Sequence, residues 1–166
     1  MKRLVLLKIS VISAMLIFTI LISGCIWLLT PFIETEIKQM LDELGEANVN
    51  GNVDQIIIHY TDPYTEVNHL VSEEPYVIYL EELRIELEEI LTYYYDCLID
   101  DFFNVEITIL DAKNAVVECD EHVKFQDLLD ETIYESIDRV KLTLIKIDGD
   151  WKVSVYELID SEEVIP

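Results

Sequence analysis

The pattern of apolar and polar positions divides the chain into an apolar leader, a helical half and a strand half. Residues 9–33 carry no charge, and Lys2, Arg3 and Lys8 precede them. Apolar positions then recur every three or four residues to about residue 98, which is typical of amphipathic helices. From about residue 105 they alternate with polar positions, which predicts strands.

Three helices are predicted between residues 30 and 98. The first begins at Thr30-Pro31 and ends at Gly45. Its apolar stripe is Ile33, Ile37, Met40, Leu41 and Leu44. A short second helix covers about 53–60 and turns Tyr60 inward, and residues 61–72 are expected to be loop or irregular strand. The third and longest helix is expected from about Pro75 to Leu98, with Tyr94 on its apolar stripe.

Four antiparallel strands are predicted after the helices. Their inward positions are Val105, Ile107 and Ile109, then Ala115 to Phe125 at every second residue, then Val140, Leu142 and Leu144, and last Trp151, Val153 and Val155. Residues 128–137 form an acidic connection, and Asp148-Gly149 makes the final turn. The expected fold is α+β, with three helices packed on one face of a curved antiparallel sheet of about four strands, in a single domain at 34–166.

The leader ends in a motif that suggests lipid attachment. Ile22-Ser23-Gly24-Cys25 resembles the bacterial lipobox, which makes 1–24 a lipoprotein signal peptide and Cys25 the lipid-attachment residue. The alternative is an uncleaved membrane anchor over 9–33, since about 20 apolar residues span a bilayer. In both cases the basic residues keep the N-terminus inside and place the domain outside the cytoplasmic membrane, tethered through its N-terminus.

Charge limits the partners of the domain. The leader holds three of the 11 basic residues and none of the 34 acidic ones, which leaves a net charge of −26 for the rest. Nucleic acid is therefore not an expected partner. The acidity serves solubility or, alternatively, a calcium site at Asp96, Asp100 and Asp101, although the spacing of an EF-hand is missing.

Cys97 and Cys119 are either two buried thiols or an extracytoplasmic disulfide.

Two stretches resemble the nuclear-transport-factor-two-like superfamily, a cone-shaped α+β fold. One runs from Leu44-Gly45 to His59-Tyr60, and the other is the hairpin Leu144–Val153 with its Asp-Gly-x-Trp-Lys-Val sequence. The resemblance implies a concave pocket between helices and sheet. The early strand pair that many enzymes of the superfamily have is not evident in the sequence, so a complete catalytic cavity is not expected.

The chain has no motif for a cofactor or metal: the four glycines are scattered, and His59, His69 and His122 share no ligand spacing. The possible pocket residues are Tyr60, Tyr94 and Glu121. Glu121 shares a strand face with apolar residues, so it is either a buried general base or a carboxylate that reaches water at the rim of the cone.

These observations leave two classes of function, and the oligomeric state is open. The preferred one is a non-catalytic, membrane-tethered module that binds a small apolar ligand or a protein partner. The alternative is a lyase or isomerase that uses a pocket carboxylate. A carboxylate buried beside a tyrosine or histidine would favour the enzyme.

Replacing Cys25 tests the lipobox. Cys25→Ser should release or misprocess the protein, because one thiol would carry the whole anchor. Membrane fractionation together with intact-mass analysis reads out both anchoring and cleavage. A variant that is processed and anchored like the wild type would identify residues 9–33 as a transmembrane anchor instead.

Overall fold

The structure is a computed structural model that describes residues 29–72 and 74–164. These residues form helix α1 (29–49), helix α2 (Val53–Ile57), strands β1 (Tyr60–Asn68) and β2 (Tyr76–Ile78), helix α3 (Leu80–Tyr93) and strands β3 (Tyr95–Ile109), β4 (Asn114–Asp127), β5 (Ile133–Ile147) and β6 (Asp150–Glu163). The α+β class is confirmed, with the helices ahead of the long strands in sequence.

The six strands form one sheet in the order β2-β1-β6-β5-β4-β3. β1 runs parallel to β6, and all other neighbours are antiparallel. The expectation of about four strands is therefore wrong: the early pair β1–β2, not evident in the sequence, is present. The sequence does not predict this pair because β1 is polar and contains Pro63, and proline is unusual inside a strand. Tyr60 begins β1 instead of ending α2.

The expected third helix is too long at both ends. Residues 76–78 pair with β1, and the chain leaves the helix at Tyr93 to become β3 at Tyr95. The spacing of Tyr94 and Leu98 fits a helical stripe, whereas Cys97 and Ile99 fit the alternation of a strand. The segment forms a strand because it pairs with β4. The connection expected at 128–137 is likewise shorter, since β5 begins at Ile133.

Helix α1 does not end at Gly45 but continues to residue 49. Gly45 is buried where the helix crosses β3, and a Cβ atom at this position would lie 2.2 Å from the carbonyl oxygen of Asp100. The glycine is thus required by close approach of two backbones and does not act as a helix cap.

The main core lies between α1 and the inner face of β4, β5 and β6. Its buried members are Ile33, Ile37, Met40 and Leu41 from α1, and Ala115, Val117, Cys119, Val140, Leu142, Leu144, Trp151 and Val153 from the sheet. Two smaller clusters lie under α2 and α3, and Tyr60 contacts all three clusters. Trp151 packs with α1, to which it also donates a hydrogen bond at Glu36 Oε2 over 3.1 Å.

Within residues 29–72 and 74–164, no helix combines the length and the apolar character that a bilayer span requires. The proposed signal peptide at 1–24 and Cys25 lie outside the described residues.

Trp151 offers a test of the core. Trp151→Ala should lower the free energy of unfolding by about 3–5 kcal/mol, because the residue is 4% exposed and its indole fills the core between the β5–β6 hairpin and α1. Urea unfolding of a chain without the leader measures this, with exposed Val71→Ala as the control. A loss below about 1 kcal/mol would show that the hairpin does not pack on α1 as described.

Candidate functional site

Glu121 is buried inside the fold. On β4 it follows Ala115, Val117 and Cys119 along the inner face at every second residue, and its side chain is 7% exposed. Of the two positions considered from the sequence, the water-exposed rim is wrong and the buried one is what the structure shows. A carboxyl group at this depth needs partners for its oxygens.

Tyr156 is the first partner. Its hydroxyl donates to Glu121 Oε2 over 2.7 Å. By strict alternation Tyr156 would point away from the face of Trp151 and Val153. A register shift between the Leu144–Val153 and Thr143–Val155 pairs inserts Ser154 as an extra residue and turns Tyr156 inward.

Asp100 is the second neighbour, and its charge raises the pKa of Glu121. It is buried, at 6% exposure, although it lies on an edge strand. A register shift in β3 between Cys97 and Ile99 turns Asp100 toward the interior. Asn48, one turn beyond Gly45 on α1, donates a side-chain hydrogen bond to Asp100 Oδ2.

The two carboxyl groups need a proton between them. If both were ionised, Asp100 Oδ1 would be buried without any donor. A proton on Glu121 supplies that donor. Burial, followed by the charge of Asp100, raises the pKa of Glu121 to about 8. Burial also raises the pKa of Asp100, against the opposing effect of the Asn48 hydrogen bond. Both shifts favour a protonated carboxyl group, so the pair retains a proton to higher pH than isolated carboxyl groups would.

Tyr60 completes the polar interior. Burial and then the charge of Glu121 raise its pKa, and the same two causes raise the pKa of Tyr156. Both phenols are therefore neutral hydrogen-bond donors at physiological pH. The structure thus places Tyr60 and Glu121 of the three expected pocket residues in one electrostatic environment.

Tyr94 is not part of this environment. It follows the last residue of α3, is 41% exposed, and its carbonyl accepts the amide of Leu128 over 2.8 Å. The sequence placed it inward because α3 was expected to continue to Leu98.

Cys97 and Cys119 are both free thiols, Cys119 buried and Cys97 half-buried. Burial raises the pKa of Cys97 to about 11 and that of Cys119 to about 12, so neither is a thiolate at neutral pH.

The histidines and acidic residues do not form a metal site in the described part of the chain, where no group of three or more ligands converges. Asp96 and Asp101 are exposed whereas Asp100 is buried, so the calcium site considered from the sequence is not assembled. His122 binds Glu135, and His69 contacts Glu157.

A groove with a volume of about 460 Å³ runs between α1 and β3, and Asp100 is one of its lining residues. Acidic, amide and apolar residues line it: Leu41, Asp42, Gly45, Glu46, Val49, Asn50, Leu98, Ile99, Asp100, Asp101 and Phe102. Asp100 therefore lies between the groove and Glu121.

Neither a known family model nor a curated protein sequence matches this chain. Solved structures do match its fold. A scytalone-dehydratase-like protein from Novosphingobium aromaticivorans superposes with a TM-score of 0.69 at 14% identity, over 82% of this chain and 91% of its own. The hexachlorocyclohexane dehydrochlorinase LinA of type 2 gives 0.66 at 11% identity, over 83% and 93%. A protein of unknown function with a cystatin-like fold from Nostoc punctiforme gives 0.54 at 16% identity, over 75% and 88%. The chain has the nuclear-transport-factor-two-like cone fold.

The titration of Glu121 can be measured through stability. Because its pKa is raised in the fold, the native state keeps a proton that the unfolded chain loses above about pH 4.3. Wild-type stability should therefore fall as the pH rises from about 4.3 to about 8. Glu121→Gln keeps a donor for Asp100 and an acceptor for Tyr156, so at pH 7 it should be more stable than the wild type by about 2–4 kcal/mol.

Urea titrations at about pH 4 and pH 7 measure the difference. Glu118→Gln, on the exposed face of the same strand, is the matched control and should change stability by no more than about 0.5 kcal/mol at either pH. Equal behaviour of the two variants would mean that Glu121 is solvated.

Proposed function

We propose that the domain is an acid–base enzyme of the lyase or isomerase class, in which Asp100 and Glu121 exchange a proton with a small organic substrate. The observation that carries the proposal is the burial of two neighbouring carboxyl groups, Asp100 and Glu121. The same leader that suggests lipidation would tether the domain outside the cytoplasmic membrane.

The pair is costly as a purely structural feature. Both side chains are buried, and the hydrogen bonds described for them come from neutral groups, namely Asn48 and Tyr156, and not from a cation. Apolar side chains of similar volume usually stabilise a core better than buried ionisable groups do. Pairs of titratable groups whose environments separate their pKa values are typical of acid–base catalysis.

The two groups can take different roles. Asp100 lines the groove, so it takes the role of the general base that removes a proton from a substrate carbon. Glu121 carries the shared proton, and Tyr156 holds its carboxyl group in place. In an elimination, the proton of the pair would pass to the leaving group while the substrate proton replaces it. In an isomerisation, the proton taken by Asp100 would return to another atom of the substrate.

The fold neighbours support this class of reaction without showing it. Two of the compared structures carry the names of lyases, a dehydratase and a dehydrochlorinase. The third has no assigned function, and identities of 11–16% show only the fold.

A second candidate is the non-catalytic tethered module that binds a small apolar ligand or a protein partner. It is favoured by the packing near Glu121: Tyr60, Phe102 and Tyr156 contribute to the core beside it. In the groove between α1 and β3, Asp100 and not Glu121 is among the lining residues. The burial of Glu121 reverses the order in which the sequence ranked the two classes.

A generic carbon acid tests the proposal before any natural substrate is known. Nitrobenzisoxazole opens when a base removes its ring C–H proton and its N–O bond breaks, giving a coloured cyanophenolate. The wild type should accelerate this opening, and Asp100→Asn should reduce the rate by about 100-fold or more, as expected for loss of a general base.

Asp96→Asn is the matched control, because it removes an exposed carboxylate from the same strand at a position that does not line the groove. It should keep the wild-type rate. Equal rates for wild type and Asp100→Asn would contradict the enzyme. Binding of the probe without turnover, seen by NMR, would favour the module.

A further inference from the structure

An exposed apolar surface lies where the β4–β5 turn meets the end of α3. Its members, here called the tyrosine patch, are Tyr93, Tyr94, Leu128, Leu129 and Tyr134. Leu129 is 76% exposed and Tyr93 is 66% exposed. The patch is distinct from the carboxyl pair and from the groove between α1 and β3.

The patch is held in place by one backbone hydrogen bond and by a group of packed aromatic rings. The amide of Leu128 donates to the carbonyl of Tyr94 over 2.8 Å, which ties the turn to the helix end. Beneath them the ring of Phe125 lies 4.8 Å from that of Tyr95 and 5.2 Å from that of Tyr134, measured between centroids. Rigid tyrosines with one apolar face and one hydroxyl are typical anchors of protein interfaces, since little side-chain entropy is lost when they bind.

The charges beside the patch select its partner. The segments 93–98 and 124–135 carry the acids Asp96, Asp127, Asp130, Glu131 and Glu135. Lys124 is the basic residue of these segments, and Glu135 holds it at 2.7 Å. A second copy would bring the same acids and a net charge of the same sign, which disfavours self-association. A basic partner with apolar side chains complements both properties.

The position of the patch also argues against the bilayer as its occupant. Helix α1 contacts the β5–β6 hairpin through Glu36 and Trp151, at the end of the sheet where Asn114 pairs with Ile145. The patch lies at the Asp127 end of β4. Because β4 has 14 residues and a strand rises about 3.3 Å per residue, this end is roughly 40 Å from Asn114. A tether that precedes residue 29 would therefore leave the patch facing away from the membrane.

We propose that the tyrosine patch docks a cationic amphipathic segment of a partner protein. Apolar side chains of that segment would cover Tyr93 and Leu129, and its Lys or Arg side chains would face the acids of the turn.

The test uses the full chain in zwitterionic lipid nanodiscs and a fluorescent synthetic peptide of about 18 residues, with Leu on one helical face and Lys on the other. The wild type should bind this peptide and should bind neither a Leu/Glu nor a Lys/Ser analogue. Tyr93→Ser/Leu129→Ser should raise the Kd by about tenfold or more, as measured by anisotropy.

Both substituted side chains are exposed and uncharged, so the variant keeps the fold and the net charge. Val71→Ser, on another loop, is the matched control and should bind like the wild type. Equal affinity of Tyr93→Ser/Leu129→Ser and wild type would overturn the proposal. Two further results would do the same: self-association that the two serines abolish, or protection of the 128–132 amides by lipid alone.

Discussion

The close crossing of α1 over β3 is the constraint on which both the core and the candidate site depend. At Gly45 the helix lies so near the backbone of Asp100 that a single methyl group would collide with its carbonyl. The same approach brings Asn48 within hydrogen-bond distance of the Asp100 side chain. A larger residue at position 45 would push α1 away from β3. It would also move the Asn48 amide away from the Asp100 carboxylate.

Strand irregularity supplies the rest of the site. Regular alternation would give β4, β5 and β6 an inner face for packing and leave polar residues outside. Register shifts in β3 and β6 break this alternation at the positions that bring Asp100 and Tyr156 to Glu121. The shift in β6 turns Tyr156 inward while Val153 and Leu158 stay packed in the core, and the shift in β3 turns Asp100 inward on the face of Phe102.

The sequence predicted the parts of the fold that obey a simple period. The stripe of α1, the alternation from Ala115 to Glu121 and the Asp148-Gly149 turn all lie where the pattern put them. The early strands escaped because a polar segment with Pro63 has no alternation, and its pairing with β6 is a tertiary effect. Glu121 was found as a break in an apolar face. Asp100, Asn48 and Tyr156 were missed as its partners, because a bulge and a close helix crossing leave no periodic signal.

The neutral character of the donors around the pair has a functional consequence. A lysine or arginine beside Glu121 would lower its pKa and keep it ionised, which would stabilise a charge but remove the proton from the site. The amide of Asn48 and the phenol of Tyr156 satisfy carboxyl oxygens without supplying positive charge. Burial can then raise the pKa of Glu121 to about 8, which favours a protonated carboxyl group at neutral pH. Burying such a group costs stability, and here the group lies next to Asp100, which lines the groove between α1 and β3.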